Sequence, residues 1–477
     1  MKFDSLSRGF ALDFLVVILA CLACLRGSLP LLEPEETRYA ELSRQMLETG
    51  SWIVPTLDGQ PYLDKPPLLY WLVASSYRLL GVSVFVSRLA AMLAAGLTIG
   101  IVFRWCRSVA GIEAGIMAAV MLAAMPDFFY RAPMLTMNGL LALTTTASMA
   151  AGYRALSRER FHSGWWIASA VACGVGFMTK GPIALALVVG PLFVGPWFVG
   201  PWVNSRLKKP RFLQWVVFGA VVAAVSAPWF LLVESRQPGF VHYFFWKHNV
   251  ERVVDPFDHA KPWWYYLPQI LLGTLPWTVL LFAAGWKWLR RKPISPLVTF
   301  SLTAGLIGLA LFSLSGSKRP VYLVPIYPLL AVAAAAFLCG ELSAYGRFFG
   351  MGRNTWQGLI AVISLAIIGV GFAFFPQYHR HFSCSPVLDT LDKTLSESAD
   401  VYAVPYSSPA VSFAFQKVIP WRPLDRLDEI AHPAPNQKRT IIVPVRYAGA
   451  VREKLAGTGW REQGNVEIVA FIHAVDR

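Results

Sequence analysis

The stretch PPLLYWLVASSYRLLG, residues 66–81, is apolar enough to enter a membrane but short for crossing one, since a spanning helix needs about 20 residues. Arg78 sits near its end. Its reading decides the fold, because it sets the side on which every later loop falls. Suppose it lies flat on the outer surface and the N-terminus is inside. The inner loops are then RWCRS (104–108), RALSRERFHS (154–163), NSRLKKPR (204–211), KWLRRK (287–292) and GRFFGMGR (346–353), all basic. If it spans instead, those loops fall outside, against the preference of Lys and Arg for the cytoplasmic side. The segment is therefore read as an interfacial helix.

Working outward, apolar runs of span length fall near 10–27, 86–106, 111–129, 138–155, 163–180, 182–203, 213–233, 264–286, 295–314, 321–340 and 356–376. The expected fold is a polytopic α-helical membrane protein of about eleven transmembrane helices, with interfacial helices in its first outer loop. The transmembrane module covers 1–376, with large outer loops at 28–85 and 234–263. Beyond it, DVYAVP (400–405), RTIIVPV (439–445) and VEIVAFIHA (466–474) read as strands and AGAVREKLAG (448–457) as a helix. Residues 377–477 are thus expected to form a small α/β domain on the outer face. Lys2 and Arg8 precede the first apolar run without a small-x-small cleavage site, so that run reads as a retained span. The expected orientation puts the N-terminus on the inner side and the C-terminus on the outer side.

The composition agrees. The chain is 55% hydrophobic and 15% charged, against about a quarter charged in soluble domains. A formal charge of +15 need not mean nucleic acid, because most basic residues lie in short loops between spans. Five of the six cysteines fall in apolar runs, which is neither a disulfide framework nor a zinc cluster. Neither GxxxxGK[ST] nor GxGxxG occurs, so ATP and a dinucleotide cofactor lack support.

Against this background two features stand out. LLEPEETRYAELSRQML (31–47) is acidic, with Pro34 placed to start a helix, Gly50 to end it, and Tyr39, Leu42, Met46 and Leu47 forming an apolar stripe. It reads as an amphipathic helix on the outer surface. The same side also carries cations close to the membrane: Lys65 in YLDKPP, Lys180 in GFMTKGP, Lys318 in SLSGSKRP, and several in 234–263, including Arg252. Cations gathered on one rim imply an anionic ligand, and phosphate is the usual partner of Lys and Arg. Each lysine taken singly also fits snorkelling to headgroups. Carboxylates with phosphate-binding cations point to transfer of a group away from a phosphate.

These residues resemble a known family. EPEETRYAELSRQMLETGSWIVPTLDGQPYLDKPPLLYWL is similar to the bacterial aminoarabinose transferase and protein mannosyltransferase group, membrane glycosyltransferases of the C superfamily that use polyprenyl-phosphate sugars. GFMTKGP, APWFLLVESRQPGFVHYFFWKHNVER, PWWYYLPQILLGTLPWT and SLSGSKRPVYLVPIYP match in the same order. The resemblance covers about residues 10–340 and implies an inverting transfer from a polyprenyl-phosphate (undecaprenyl-phosphate-like) donor to a lipid or protein acceptor, among membrane lipids and without nucleic acid or ATP. It places Glu35 as catalytic base, where relatives usually carry Asp, with Glu36 beside it. Lys65, Arg252, Lys318, Tyr322 and Lys180 would bind the donor phosphate. Asp64 and His248 are candidate ligands for a divalent metal (Zn, Mg or Mn). Arg38, Tyr39, Asn138 and Arg131 complete the expected pocket, Asn138 standing where relatives have a carboxylate. A transporter or flippase, or a non-catalytic binder of lipid-linked sugars, would need the same cations but no base. A scaffold presenting the C-terminal domain would need neither.

Overall fold

The computed structural model describes residues 29–32, 34–199, 207–251, 261–381, 400–404, 409–414, 416–431, 439–456, 460–464 and 468–473. The expected span at 10–27 and the candidate Arg252 lie outside them, as does the side chain of His248. By contacts the chain forms two compact units that do not follow its linear order. The first takes in 63–69 and 88–371; the second takes in 26–62, 70–87 and 372–477.

The first unit is helical. Among the described residues, the helices Val84–Ala110, Phe212–Arg236, Pro296–Leu314, Tyr327–Tyr345 and Arg353–His379 are long and apolar enough to cross a membrane. Two of these, Val84–Ala110 and the last, run across the boundary between the units. The run expected as one span at 264–286 is two helical pieces, Trp263–Gly273 and Thr278–Leu289, bent by 117° at the TLPW break. Pro276 lies in that break, and a proline both removes an amide donor and crowds the preceding turn. Helices also occupy Ile112–Ala124, Met137–Ser157, Ser163–Lys180 and Pro182–Val199. Their inward faces are packed with small residues. Ala331, Ala333, Ala334 and Ala335 are fully buried on the Tyr327–Tyr345 helix, the pattern that lets helices approach closely where lipid offers no hydrophobic drive.

The second unit joins the acidic helix to the C-terminal sheet. The acidic stretch forms a helix, Glu35–Thr49, with Pro34 at its N-cap and Gly50 at its C-cap in the left-handed region, φ 68°. PPLLYWLVASSYRLLG forms the helix Leu68–Leu80, most of which belongs here. The sheet runs Asp400–Ala403, Arg439–Pro444, Ile468–His473, Trp460–Gly464, its first pair parallel and the others antiparallel. Three of these strands coincide with the apolar runs read from the sequence. The fourth, WREQG, has no alternating apolar signal to mark it. The helix Val445–Leu455 packs Val451 and Leu455 into the sheet's core with Ile441 and Val443.

Candidate active site

The candidate residues divide between the two units. In the second, Glu35 opens the acidic helix and is half-buried. Glu36 is fully buried, and its Oε2 accepts the Leu32 amide at 2.9 Å while its own amide donates to the Leu32 carbonyl at 3.1 Å. This reciprocal brace satisfies donors at the helix start and places negative charge where the helix dipole favours it. Arg38 neighbours Glu35 electrically. Burial works against its charge, yet Tyr62, Tyr39 and Glu35 together hold its pKa above the ordinary arginine value. Tyr39 packs on Tyr70, ring centroids 5.8 Å apart.

The acidic helix is less of a surface helix than its stripe implies. Beside Tyr39, Leu42 and Met46, it buries Glu41, Ser43, Arg44 and Gln45. Arg44 is bidentate on Glu41, with Nε–Oε2 and Nη2–Oε1 both 2.7 Å. Gln45 donates to the same carboxylate at 2.7 Å. Burial raises the Glu41 pKa, against the opposing pull of Arg44 and Gln45.

The cations of the first unit are held differently. TKGP is explained by its geometry: Lys180 is the last residue of one helix, Gly181 caps it at φ 72°, and Pro182 opens the next. A Cβ at Gly181 would be strained by that φ and would come within 2.8 Å of the Phe244 ring. This turn delivers Lys180 to the start of the Met137–Ser157 helix, where its Nζ donates to Asn138 Oδ1 at 2.7 Å. The same ammonium lies over the Tyr322 ring, 4.0 Å from the centroid. Tyr322 itself sits on the 3₁₀ turn Pro320–Leu323. Lys180, Asn138 and Tyr322, named separately from the sequence, are thus brought together.

Lys318 is 5% exposed. Its Nζ donates to the Lys261 carbonyl at 3.1 Å and to the Ser315 carbonyl. Among the described residues no carboxylate pairs with it. Burial lowers its pKa from the ordinary 10.5. An ammonium out of water with only neutral oxygens around it is costly unless an anion completes the site.

Lys65 is half-buried just ahead of the Leu68–Leu80 helix. Asp64 accepts the Tyr243 hydroxyl at 3.0 Å. Among the described residues no three His, Cys, Asp or Glu side chains converge as metal ligands. Arg131 turns to its own helix, Nε to Asp127 Oδ1 at 3.1 Å. Asp127 Oδ2 in turn accepts the Tyr327 hydroxyl at 2.8 Å. Sequence reasoning missed Asp127, although an Asp four residues before an Arg in a short helix is a recognisable pair.

Three comparisons bear on this arrangement. Residues 64–231 match the family described as dolichyl-phosphate-mannose-protein mannosyltransferase. The chain is 33% identical over 392 residues to the undecaprenyl phosphate-alpha-4-amino-4-deoxy-L-arabinose arabinosyl transferase of Yersinia enterocolitica, covering 79% of this chain and 67% of that protein. To the enzyme of the same name from Aeromonas hydrophila it is 34% identical over 363 residues, 73% of this chain and 63% of that one. To that of Yersinia pseudotuberculosis it is 33% identical over 389 residues, 78% and 68%. The chain therefore spans about two thirds of these relatives' length. Among solved structures, ArnT from Cupriavidus metallidurans bound to undecaprenyl phosphate matches with TM-score 0.76 at 20% identity, over 98% of this chain and 99% of that one. The oligosaccharyltransferase AglB from Archaeoglobus fulgidus matches with TM-score 0.55 at 12% identity, over 97% and 74%. At these identities the structures show likeness of fold.

Proposed function

We propose that this chain, which belongs to the family of undecaprenyl phosphate-alpha-4-amino-4-deoxy-L-arabinose arabinosyl transferases, is an inverting glycosyltransferase that moves a sugar from a polyprenyl phosphate to a lipid or protein acceptor. The observation that carries this reading is Lys318, a buried ammonium held by main-chain carbonyls. A phosphate is the anion such a site favours, and a lipid-linked one arrives through the membrane.

Glu35 takes the acceptor proton as attack on the anomeric carbon proceeds. The bond from that carbon to the phosphate oxygen breaks, and its electron pair leaves on the polyprenyl phosphate. That leaving group is a stable anion, so the reaction needs charge stabilisation rather than a general acid. Lys65, Lys180, Arg252 and Lys318 supply it, and Tyr322 carries Lys180 on its ring face. Glu36, engaged at the helix start, steadies Glu35. Asp64 and His248 would hold a divalent metal that offers the same phosphate Lewis-acid stabilisation. A carboxylate accepting a tyrosine hydroxyl fits the outer-shell bonding that such ligands use. The expected setting is a bacterial inner membrane crossed by about eleven spans, with the N-terminus cytoplasmic and residues 377–477 forming a periplasmic α/β domain.

The test is purified protein in detergent with a panel of polyprenyl-phosphate sugars and candidate acceptors, followed by mass spectrometry. Donor loss matched by acceptor gain is the expected result. Folded protein that binds these donors, moves them across vesicles and never transfers a sugar would instead support the transporter reading.

A further inference from the structure

Arg44 lies further along the acidic helix than Glu35, and none of the chemistry above uses it. Its side chain is 1% exposed. The fork on Glu41 occupies one edge of the guanidinium. The remaining terminal nitrogen, Nη1, meets Glu48 and reaches the main-chain carbonyl of Gln416 at 3.0 Å, across 372 positions of sequence. A helix that needed only an internal ion pair would have no use for that last bond.

The residue at its far end is built for the contact. Gln416 holds a left-handed backbone, φ 48°, an uncommon conformation for a residue with a side chain. It follows the short helix Pro409–Ala414 and is tied back to it by Gln416 N to Phe413 O at 3.2 Å and Lys417 N to Ser412 O at 3.0 Å. From there the chain passes beside the edge strand Asp400–Ala403, where the Pro420 carbonyl accepts the Ala403 amide at 2.9 Å. A second strand of contacts runs alongside. Phe413 packs on Tyr77, centroids 6.4 Å apart, and Tyr77 bonds Ser87 at 2.6 Å. All of these residues belong to the second unit.

We propose that Arg44 is a positioning residue: it locks the acidic helix to the turn at Gln416, so that the sheet-bearing C-terminal segment sets where the Glu35 carboxylate stands. The assignment rests on the reading of Glu35 as base. It gives the C-terminal segment a part in turnover without any contact to substrate.

The experiment is a double-mutant cycle in the full-length protein, Arg44→Gln and Gln416→Pro singly and together, read by kcat, donor KM and hydrogen–deuterium exchange. Proline cannot adopt the Gln416 backbone and so moves the carbonyl while leaving Arg44 intact. Each single change should lower kcat by about tenfold or more, as small misplacements of reacting groups do, with donor KM within about twofold. The double variant should lose no more than the worse single one, which is the mark of a shared interaction. Exchange should rise both in 35–49 and in 409–419 for each single variant. If Arg44→Gln does not fold, Arg44→Lys, which keeps the charge and loses the fork, takes its place. If neither folds, exchange in Gln416→Pro decides. Multiplying kcat losses, unchanged kcat in folded variants, or exchange that rises on one side alone would overturn the lock. Absence of turnover in the unaltered protein would sink the Glu35 reading instead, while the exchange arm still tests the lock.

Discussion

The charges of the acidic helix and the two lysines Lys180 and Lys318 of the helical unit are held in different ways. On the acidic helix, charges answer one another: Arg44 is held by Glu41 and Glu48, and Glu41 also by Gln45. In the helical unit, Lys180 rests on an amide and a ring, and Lys318 on two carbonyls. The first arrangement is closed and structural. The second holds the Lys318 ammonium between neutral main-chain carbonyls, the kind of environment in which an anion lowers the cost of burial. Burial alone does not separate the two; the chemistry of the partners does.

The largest expected effect is at Glu35, the first residue of the acidic helix. Glu35→Gln should lower kcat by about 10²–10⁴-fold, the usual worth of a general base, with donor affinity within about threefold. Undiminished turnover would move the base elsewhere. Next comes the closed pair. Arg44→Leu strands a buried carboxylate and should destabilise the fold by about 3–5 kcal/mol, measured by denaturant unfolding. A loss under about 1 kcal/mol would put the pair among ordinary solvent-screened bridges.

Tyr322 sharpens the other side of the comparison. Replacing it with Leu removes the ring under Lys180 and should raise donor KM by roughly threefold, in line with a cation–π contact of about 0.5–1 kcal/mol. Tyr322→Phe keeps the ring and should stay within about twofold. A full loss in the Phe variant would restore the expectation that the hydroxyl itself contacts phosphate. The smallest effect is a pH slope. The folded pKa of Lys318 lies below its ordinary 10.5. Between those two values the unfolded chain binds more protons, so stability should rise as pH climbs through that window. Lys318→Met should flatten the slope, and an unflattened slope would assign it to another group.

Much of this was legible in the sequence, for definite reasons. Pro34 and Gly50 bracket the acidic helix because one suits a helix start and the other a left-handed cap. TKGP marked Lys180 because it sets a cation at the end of a span on the outer side; the glycine that follows is a helix cap at φ 72°. Three strands of the C-terminal sheet announced themselves as β-branched runs. What stayed hidden were relations across long separations. Nothing local in the acidic helix reveals that Arg44 reaches the main-chain carbonyl of Gln416. The bent pair around Pro276 read as one span because apolar count does not report direction. Lys180, Asn138 and Tyr322 were each visible, but not that the first lies against the other two.

The role of Lys318, a buried cation, in binding the donor phosphate is tested by thermal unfolding of the unaltered protein and Lys318→Met with and without undecaprenyl phosphate. Without lipid the variant should be more stable, by about 1–2 kcal/mol, because an ammonium no longer has to leave water. With lipid the unaltered protein should gain stability as a binding ligand requires, and the variant should gain little. A variant that is less stable without lipid, yet stabilised by it as fully as the unaltered protein, would mean that Lys318 does not bind the phosphate.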